Sequence, residues 1–132
     1  MIAEQTTTER DARELALLAV AALDDKLGDD IVILDVGDAL GVTDYFVIAS
    51  GRNDRQVAAL VDAVEECLRD AGAKPRGREG LREGRWALLD YGDLVVHVFL
   101  AEERDVYDLE RLWKDAGRVD LETGECSKSA AD

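Results

Sequence analysis

The sequence predicts an α/β domain: a mixed β-sheet of about four to five strands with helices packed on it. Three observations carry that expectation. The chain has 132 residues, one domain's worth of polypeptide, which buries roughly two-thirds of its unfolded surface without needing disulfides or metals. Apolar residues recur three and four apart in three separate segments, the period of an amphipathic helix. Between these segments lie β-branched runs, and twice one such run follows another directly. Strand-to-strand steps argue against a doubly wound parallel sheet and for a mixed one.

The elements follow in order. Residues 1–8 are expected to be flexible. Thr6-Thr7-Thr8-Glu9 fits a capping box, in which hydroxyl and carboxylate satisfy free backbone amides. A helix follows to about Lys26, with Ala12, Leu15, Ala16, Ala19, Ala22 and Leu23 on one face and Gly28 as its stop. Asp30 to Val36 reads as a strand apolar enough to be covered on both faces. Gly37 to Gly41 turns the chain, and Thr43 to Ser50 is the next strand. Gly51 to Asp54 leads into a second helix, capped by Asn53 or Asp54. Val57, Leu60, Val61, Val64 and Leu68 form its stripe, and Gly72 ends it.

Lys74 to Arg85 is basic and glycine-rich, holds the single proline, and reads as a short edge strand and loop. Arg85 to Asp90 and Leu94 to Leu100 form a hairpin about the turn Tyr91-Gly92-Asp93. A third helix is expected from about Glu103 to Lys114, with Val106, Leu109, Leu112 and Trp113 inward. Residues 117–132 are polar and are expected to be a disordered tail, which leaves 9–116 as the folded domain.

Charge narrows the function. Sixteen Lys and Arg against thirty Asp and Glu give a net charge of −14. Such a surface repels nucleic acid and anionic membranes and complements a basic protein. No apolar run approaches the ~20 residues that span a bilayer, and Met1 to Thr8 lacks signal-peptide character, so a cytoplasmic location is expected. Cys67 and Cys126 show no metal-ligand spacing; a half-buried helix thiol and an idle tail thiol are the expectation.

Catalytic constellations are sparse. His97 is the single histidine, with no second ligand spaced for zinc, and reads as a partly buried, hydrogen-bonded side chain. Gly-x-Ser-x-Gly, the dinucleotide fingerprint and the P-loop are absent. Ser50-Gly51 between strand and helix could cradle a phosphate. Asp90 and Asp93 do not show the Asp-x-Asp spacing of a two-metal site and suit turn chemistry. No cofactor or metal is expected. What remains is surface: Trp86 at a strand start and Tyr91 on a turn, with Asp90 and Asp93 beside them, have the composition of a protein-binding hot spot. A core position suits Trp86 equally well. Arg104, Tyr107 and Glu110 form either an outward polar line or a tie from helix to sheet.

At this point the ordered set becomes specific. Thr43-Asp44-Tyr45-Phe46-Val47-Ile48-Ala49-Ser50-Gly51 precedes Arg55-Gln56-Val57 and Glu79-Gly80. Next come Trp86-Ala87-Leu88-Leu89-Asp90-Tyr91-Gly92-Asp93 and Val95-Val96-His97-Val98-Phe99. Arg104-x-x-Tyr107-x-Leu109-Glu110-x-Leu112-Trp113 closes the set. In this order and spacing it resembles the ribosomal silencing factor family (RsfS, or Iojap).

The resemblance implies a nucleotidyltransferase-like fold without catalytic activity. It implies binding to ribosomal protein fourteen of the large subunit, a steric block of subunit joining, damped translation when nutrients are scarce, and a homodimer when free. Arg52 departs from the family's small hydroxyl residue after the glycine and leaves the local turn open. On this reading Trp86, Asp90, Tyr91, Asp93 and His97 form the partner-contacting cluster, with Glu79 and Tyr107 as outer members. The Lys74–Arg85 stretch is a solvated loop or touches rRNA peripherally. The alternatives are a nucleotidyltransferase-like enzyme using Ser50 and Asp90, and a homodimeric adaptor for another basic protein.

Overall fold

A computed structural model describes residues 12–37, 43–80, 85–107, 117–119 and 126–128, with side chains through Arg104. Helix α1 is Ala12–Asp25. Strands β1 (Asp29–Asp35) and β2 (Tyr45–Gly51) follow, then helix α2 (Asp54–Asp70). Strands β3 (Gly77–Glu79), β4 (Trp86–Asp90) and β5 (Leu94–Leu100) precede helix α3 (Ala101–Tyr107). Two short strands, β6 (Gly117–Val119) and β7 (Cys126–Lys128), complete the order. Among the described residues the seven strands form one sheet in the order β3-β4-β5-β2-β1-β6-β7. All neighbours are antiparallel except β2 and β5, which pair in parallel from Tyr45 opposite Leu94 to Gly51 opposite Leu100.

The mixed sheet agrees with the expectation, and its extent exceeds it. Composition marked residues 117–132 as a tail without order, yet β6 pairs Arg118 and Gly117 with Leu34 and Asp35 of β1, and β7 pairs with β6. The free hydrogen-bonding edge of β1 supplies partners that no local feature of the tail reveals. The capping box at Thr6 to Glu9 and the stripe from Leu109 to Trp113 lie outside the described residues.

One face of the sheet carries the main core. Ala16, Ala19 and Leu23 of α1, with Val57, Leu60, Val61, Val64 and Leu68 of α2, pack on Ile33, Val47, Ala49, Ala87, Leu89, Val96 and Val98. These strand residues alternate with a second set on the opposite face, because successive side chains of a strand point to opposite sides. There Leu34, Val36, Phe46, Ile48 and Phe99 form a smaller buried cluster, joined by half-buried Val32, Trp86 and Val95.

The helix ends refine the sequence reading. Gly28 is not the left-handed residue that closes α1; Leu27 is, at φ +63°, and it is 69% exposed. Gly28 donates to the Leu23 carbonyl at 2.8 Å, and Leu27 donates to that of Asp24 at 2.9 Å, a Schellman closure. Glycine is used at 28 for its size: a Cβ there would stand 3.1 Å from the Leu23 carbonyl oxygen and 3.3 Å from Leu60. At α2, Asn53 is the cap, its Oδ1 accepting from the Gln56 amide at 2.8 Å. Gln56 closes the turn that Arg52 left open. Its Oε1 accepts from the Arg52 amide at 2.7 Å, and its Nε2 donates to the Leu27 carbonyl at 3.0 Å.

Candidate functional site

The candidate site is the sheet face turned away from α1 and α2, at the edge formed by β3, β4, β5 and β2. Alternation along each strand selects its members. Register sets Glu79 opposite Leu88, Leu88 opposite His97, and His97 opposite Ile48, so these four share the face. Trp86 and Asp90 lie two residues either side of Leu88, and Val95 and Phe99 two residues either side of His97.

His97 is the pivot. It is only 4% exposed, and its ring meets Phe46 edge-on with centroids 4.7 Å apart. Trp86 donates from Nε1 to His97 Nδ1 at 3.1 Å and stacks on Phe99 at 4.9 Å. Burial pushes the His97 pKa down to about 4, so the ring is neutral at physiological pH. Since Nδ1 accepts a hydrogen bond, the proton of the neutral ring is on Nε2. That Nε2–H has no hydrogen-bond partner among the described residues, and neither does the hydroxyl of Thr43.

Both residues line a pocket of about 370 Å³ with Phe46, Arg76, Leu88, Asp90, Gly92 and Val95. The β4–β5 turn shapes one end. Asp90 Oδ1 accepts from the Gly92 amide at 2.8 Å, Gly92 takes φ +90°, and the Tyr91 amide bonds to the Leu94 carbonyl at 2.8 Å. The Asp93 carbonyl accepts from the Asp44 amide at 2.9 Å and from the Tyr45 amide at 3.1 Å, which ties this turn to the start of β2.

The predicted cluster is therefore partly assembled. Trp86, Asp90 and His97 share this face, Trp86 in contact with His97 and Asp90 at the opposite end of β4, with Glu79 exposed on β3. Asp93 is exposed on the adjoining turn. Tyr91 goes elsewhere: its ring packs against the main core on the helix side, its hydroxyl is buried without a partner, and burial raises its pKa to about 12. Tyr107 is the last residue of α3, and its side chain lies outside the described ones. Arg104, by contrast, does tie helix to sheet, donating to Ser50 Oγ at 3.0 Å from a buried position. Thr43, Phe46, Leu88 and Arg76 were not singled out as site residues from the sequence. Only the parallel pairing of β2 with β5 brings the first two beside His97, and nothing in their spacing signals it.

Two features bear on other chemistries. Ser50 pairs with Phe99 at one end of the sheet, whereas Asp90 pairs with Val95 at the other. Four residues of strand separate those levels, roughly 13 Å, so the two side chains do not converge on one substrate. Of the cations in the Lys74–Arg85 stretch, Arg78 bonds to Glu65 at 2.7 Å and Arg85 to Glu103 at 2.6 Å. These two face acidic partners within the fold. Among the described residues no helix is long and apolar enough to cross a membrane.

The fold is a sheet with one helix-covered face and one half-buried aromatic face that also carries Asp90 and Glu79. Comparison with known proteins makes the class specific. The family described as "Ribosomal silencing factor during starvation" matches residues 9–132. The ribosomal silencing factor of Bacillus subtilis is 42% identical over 112 residues, 85% of this chain and 95% of that protein. The mouse "Mitochondrial assembly of ribosomal large subunit protein 1" is 32% identical over 73% of this chain and 43% of its own length. A crystal structure of a Chromobacterium violaceum protein superposes with TM-score 0.77 at 41% identity, covering 79% of this chain and 87% of that one. The chain belongs to the ribosomal silencing factor family, which also includes Iojap proteins. Its members are named as regulators of the ribosome rather than as enzymes. The match through residue 132 takes in the segment that carries β6 and β7.

Proposed function

We propose that this protein binds ribosomal protein fourteen on the large ribosomal subunit and thereby blocks association of the two subunits, damping translation when nutrients are limited. The observation that carries the reading is the aromatic and acidic sheet face. Trp86 is held rigid by Phe99 and His97 at one end of β4, and the same face carries Asp90 at the other end, with Asp93 exposed on the adjoining turn and Glu79 exposed on β3. A rigid aromatic anchor sharing its face with carboxylates suits a basic protein surface. The net charge of −14 favours such a partner over rRNA. Tyr107 enters this reading as a support at the margin, and Tyr91 buttresses the β4–β5 turn from the helix side. The protein acts in the cytoplasm, and a homodimer is its state when free of ribosomes.

The test is a sucrose gradient of the purified protein with separated large and small subunits. The expected result is co-migration with the large subunit and fewer joined ribosomes, both weakened by salt. Asp93→Lys and Glu79→Lys alter exposed side chains and leave the fold alone, so each should reduce co-migration. Trp86→Ala is a poorer probe, since it also removes the Phe99 stack and the His97 hydrogen bond. Absence of co-migration at low salt would overturn the reading.

A further inference from the structure

Resting on the proposed function, we infer that Arg78 and Glu65 are positioning residues for the binding face: their ion pair fastens β3 to α2 and so holds Glu79 where a basic partner meets it. Strand β3 runs from Gly77 to Glu79 with all its residues exposed, so it places no side chain in the core. It pairs with β4 along one edge, and the Arg76 amide just before it donates to the Asp90 carbonyl. So short an edge strand, without an apolar anchor, is the kind of segment that opens locally while the rest of a domain stays folded. Alternation sends its two side chains to opposite sides. Arg78 stands opposite Leu89, a residue of the helix-side core, and Glu79 opposite Leu88 on the aromatic face.

On the helix side, Arg78 Nη1 donates to Glu65 Oε2 at 2.7 Å. Glu65 lies within α2, and its side chain is only 20% exposed. Helix α2 is itself seated on the main core by Val57, Leu60, Val61, Val64 and Leu68. The bond therefore joins a weakly anchored strand to a firmly anchored helix. A short charge-assisted bond to a carboxylate partly sheltered from water keeps its geometry better than a fully solvated pair. Glu79 is left exposed and has no ion pair among the described residues, open to a cation of the partner. Arg78 thus serves an acidic interface without meeting the partner: its charge is spent inward on Glu65, and its backbone carries the carboxylate that faces out.

The experiment measures binding of the full-length protein and its variants to purified large subunits at low salt. Glu65→Gln and Arg78→Gln should each lower affinity about twofold to fivefold, although they move the net charge in opposite directions. An effect of overall charge predicts opposite signs, since Arg78→Gln makes an acidic protein more acidic. Direct contact of Arg78 with rRNA also predicts opposite signs, since Glu65→Gln would release the guanidinium for that contact. Glu66→Gln removes the same charge from the neighbouring residue, whose side chain is 72% exposed, and should leave binding unchanged. A double-mutant cycle separates positioning from contact: Glu65→Gln should cost nothing further in protein that already carries Glu79→Gln. In the free Glu65→Gln protein, amide exchange should quicken from Arg76 to Glu79 and stay slow in β5, with the melting temperature close to that of wild type. Suppose wild type binds, but Glu65→Gln, Arg78→Gln or Glu79→Gln binds as tightly, Glu66→Gln weakens binding as much, or the losses at Glu65 and Glu79 add in full. Any of these overturns the positioning inference and leaves the ribosome reading standing. If wild type does not bind at all, the ribosome reading falls and takes this inference with it.

Discussion

Acidification should destabilise this protein through one side chain. In the unfolded chain His97 titrates near its ordinary value of 6.5; in the fold, burial pushes it to about 4. Between those values the unfolded state binds a proton that the folded state refuses. Stability contributed by the neutral ring is therefore complete above about pH 6.5 and falls away as the pH drops toward 4. The gap corresponds to about 3 kcal/mol, a large share of the 5–15 kcal/mol typical of a domain. Urea unfolding at intervals across this window measures it.

Because the sequence holds one histidine, the imidazole gives a single NMR titration with no assignment problem. His97→Phe is the reference: it removes the titrating group but leaves Trp86 Nε1–H without its acceptor, so absolute stability falls while the acid slope flattens. Carboxylates act alike in both proteins and drop out of the difference. A folded-state imidazole that titrates near 6.5, or equal acid slopes in the two proteins, would refute the reasoning.

Other changes have expected outcomes of their own. Gly80 sits at φ +76°, where a Cβ would run into the Trp86 carbonyl oxygen; Gly80→Ala should detach β3, cost about 1–2 kcal/mol in urea unfolding, and weaken ribosome binding by displacing Glu79. Tyr91→Phe removes a buried hydroxyl that has no partner among the described residues; the unfolding midpoint should hold or rise, by about 1 kcal/mol, and a clear drop would show that the hydroxyl is bonded after all. Asn53→Ala removes the cap that accepts from Gln56 and should cost about 1 kcal/mol by thermal unfolding, whereas Asn53→Asp should be nearly neutral.

Local signals and pairing contributed differently to this molecule. The stripe Val57, Leu60, Val61, Val64 and Leu68 is written at helical spacing and is buried as written. The alternation of Val95, His97 and Phe99 against Val96 and Val98 likewise placed the histidine on the face opposite the helices. Asp90 as a turn cap and Gly72 as a helix stop were readable because a few neighbouring atoms decide them. Where neighbours in sequence do not decide, the reading went astray. Leu27 rather than Gly28 took the left-handed position because Gly28 was needed for contact with Leu60. The turn residue Tyr91 swung to the helix side, away from the carboxylates beside it in sequence.

Order in residues 117–119 and 126–128 depends on a free edge of β1, more than eighty residues earlier in the chain. The pocket has the same origin. Thr43 and Phe46 precede the long excursion through α2, β3 and β4, and they reach His97 only because β5 returns parallel to β2. Periodicity and turn chemistry are encoded within a few residues, so element type, helix stripes, acidic character and the family's ordered motifs could be read directly. Which half-buried groups meet, and which of them lack a hydrogen-bond partner, follows from strand register between segments distant in sequence. That register is settled by burying one face against two helices, and so it exists only in the folded chain.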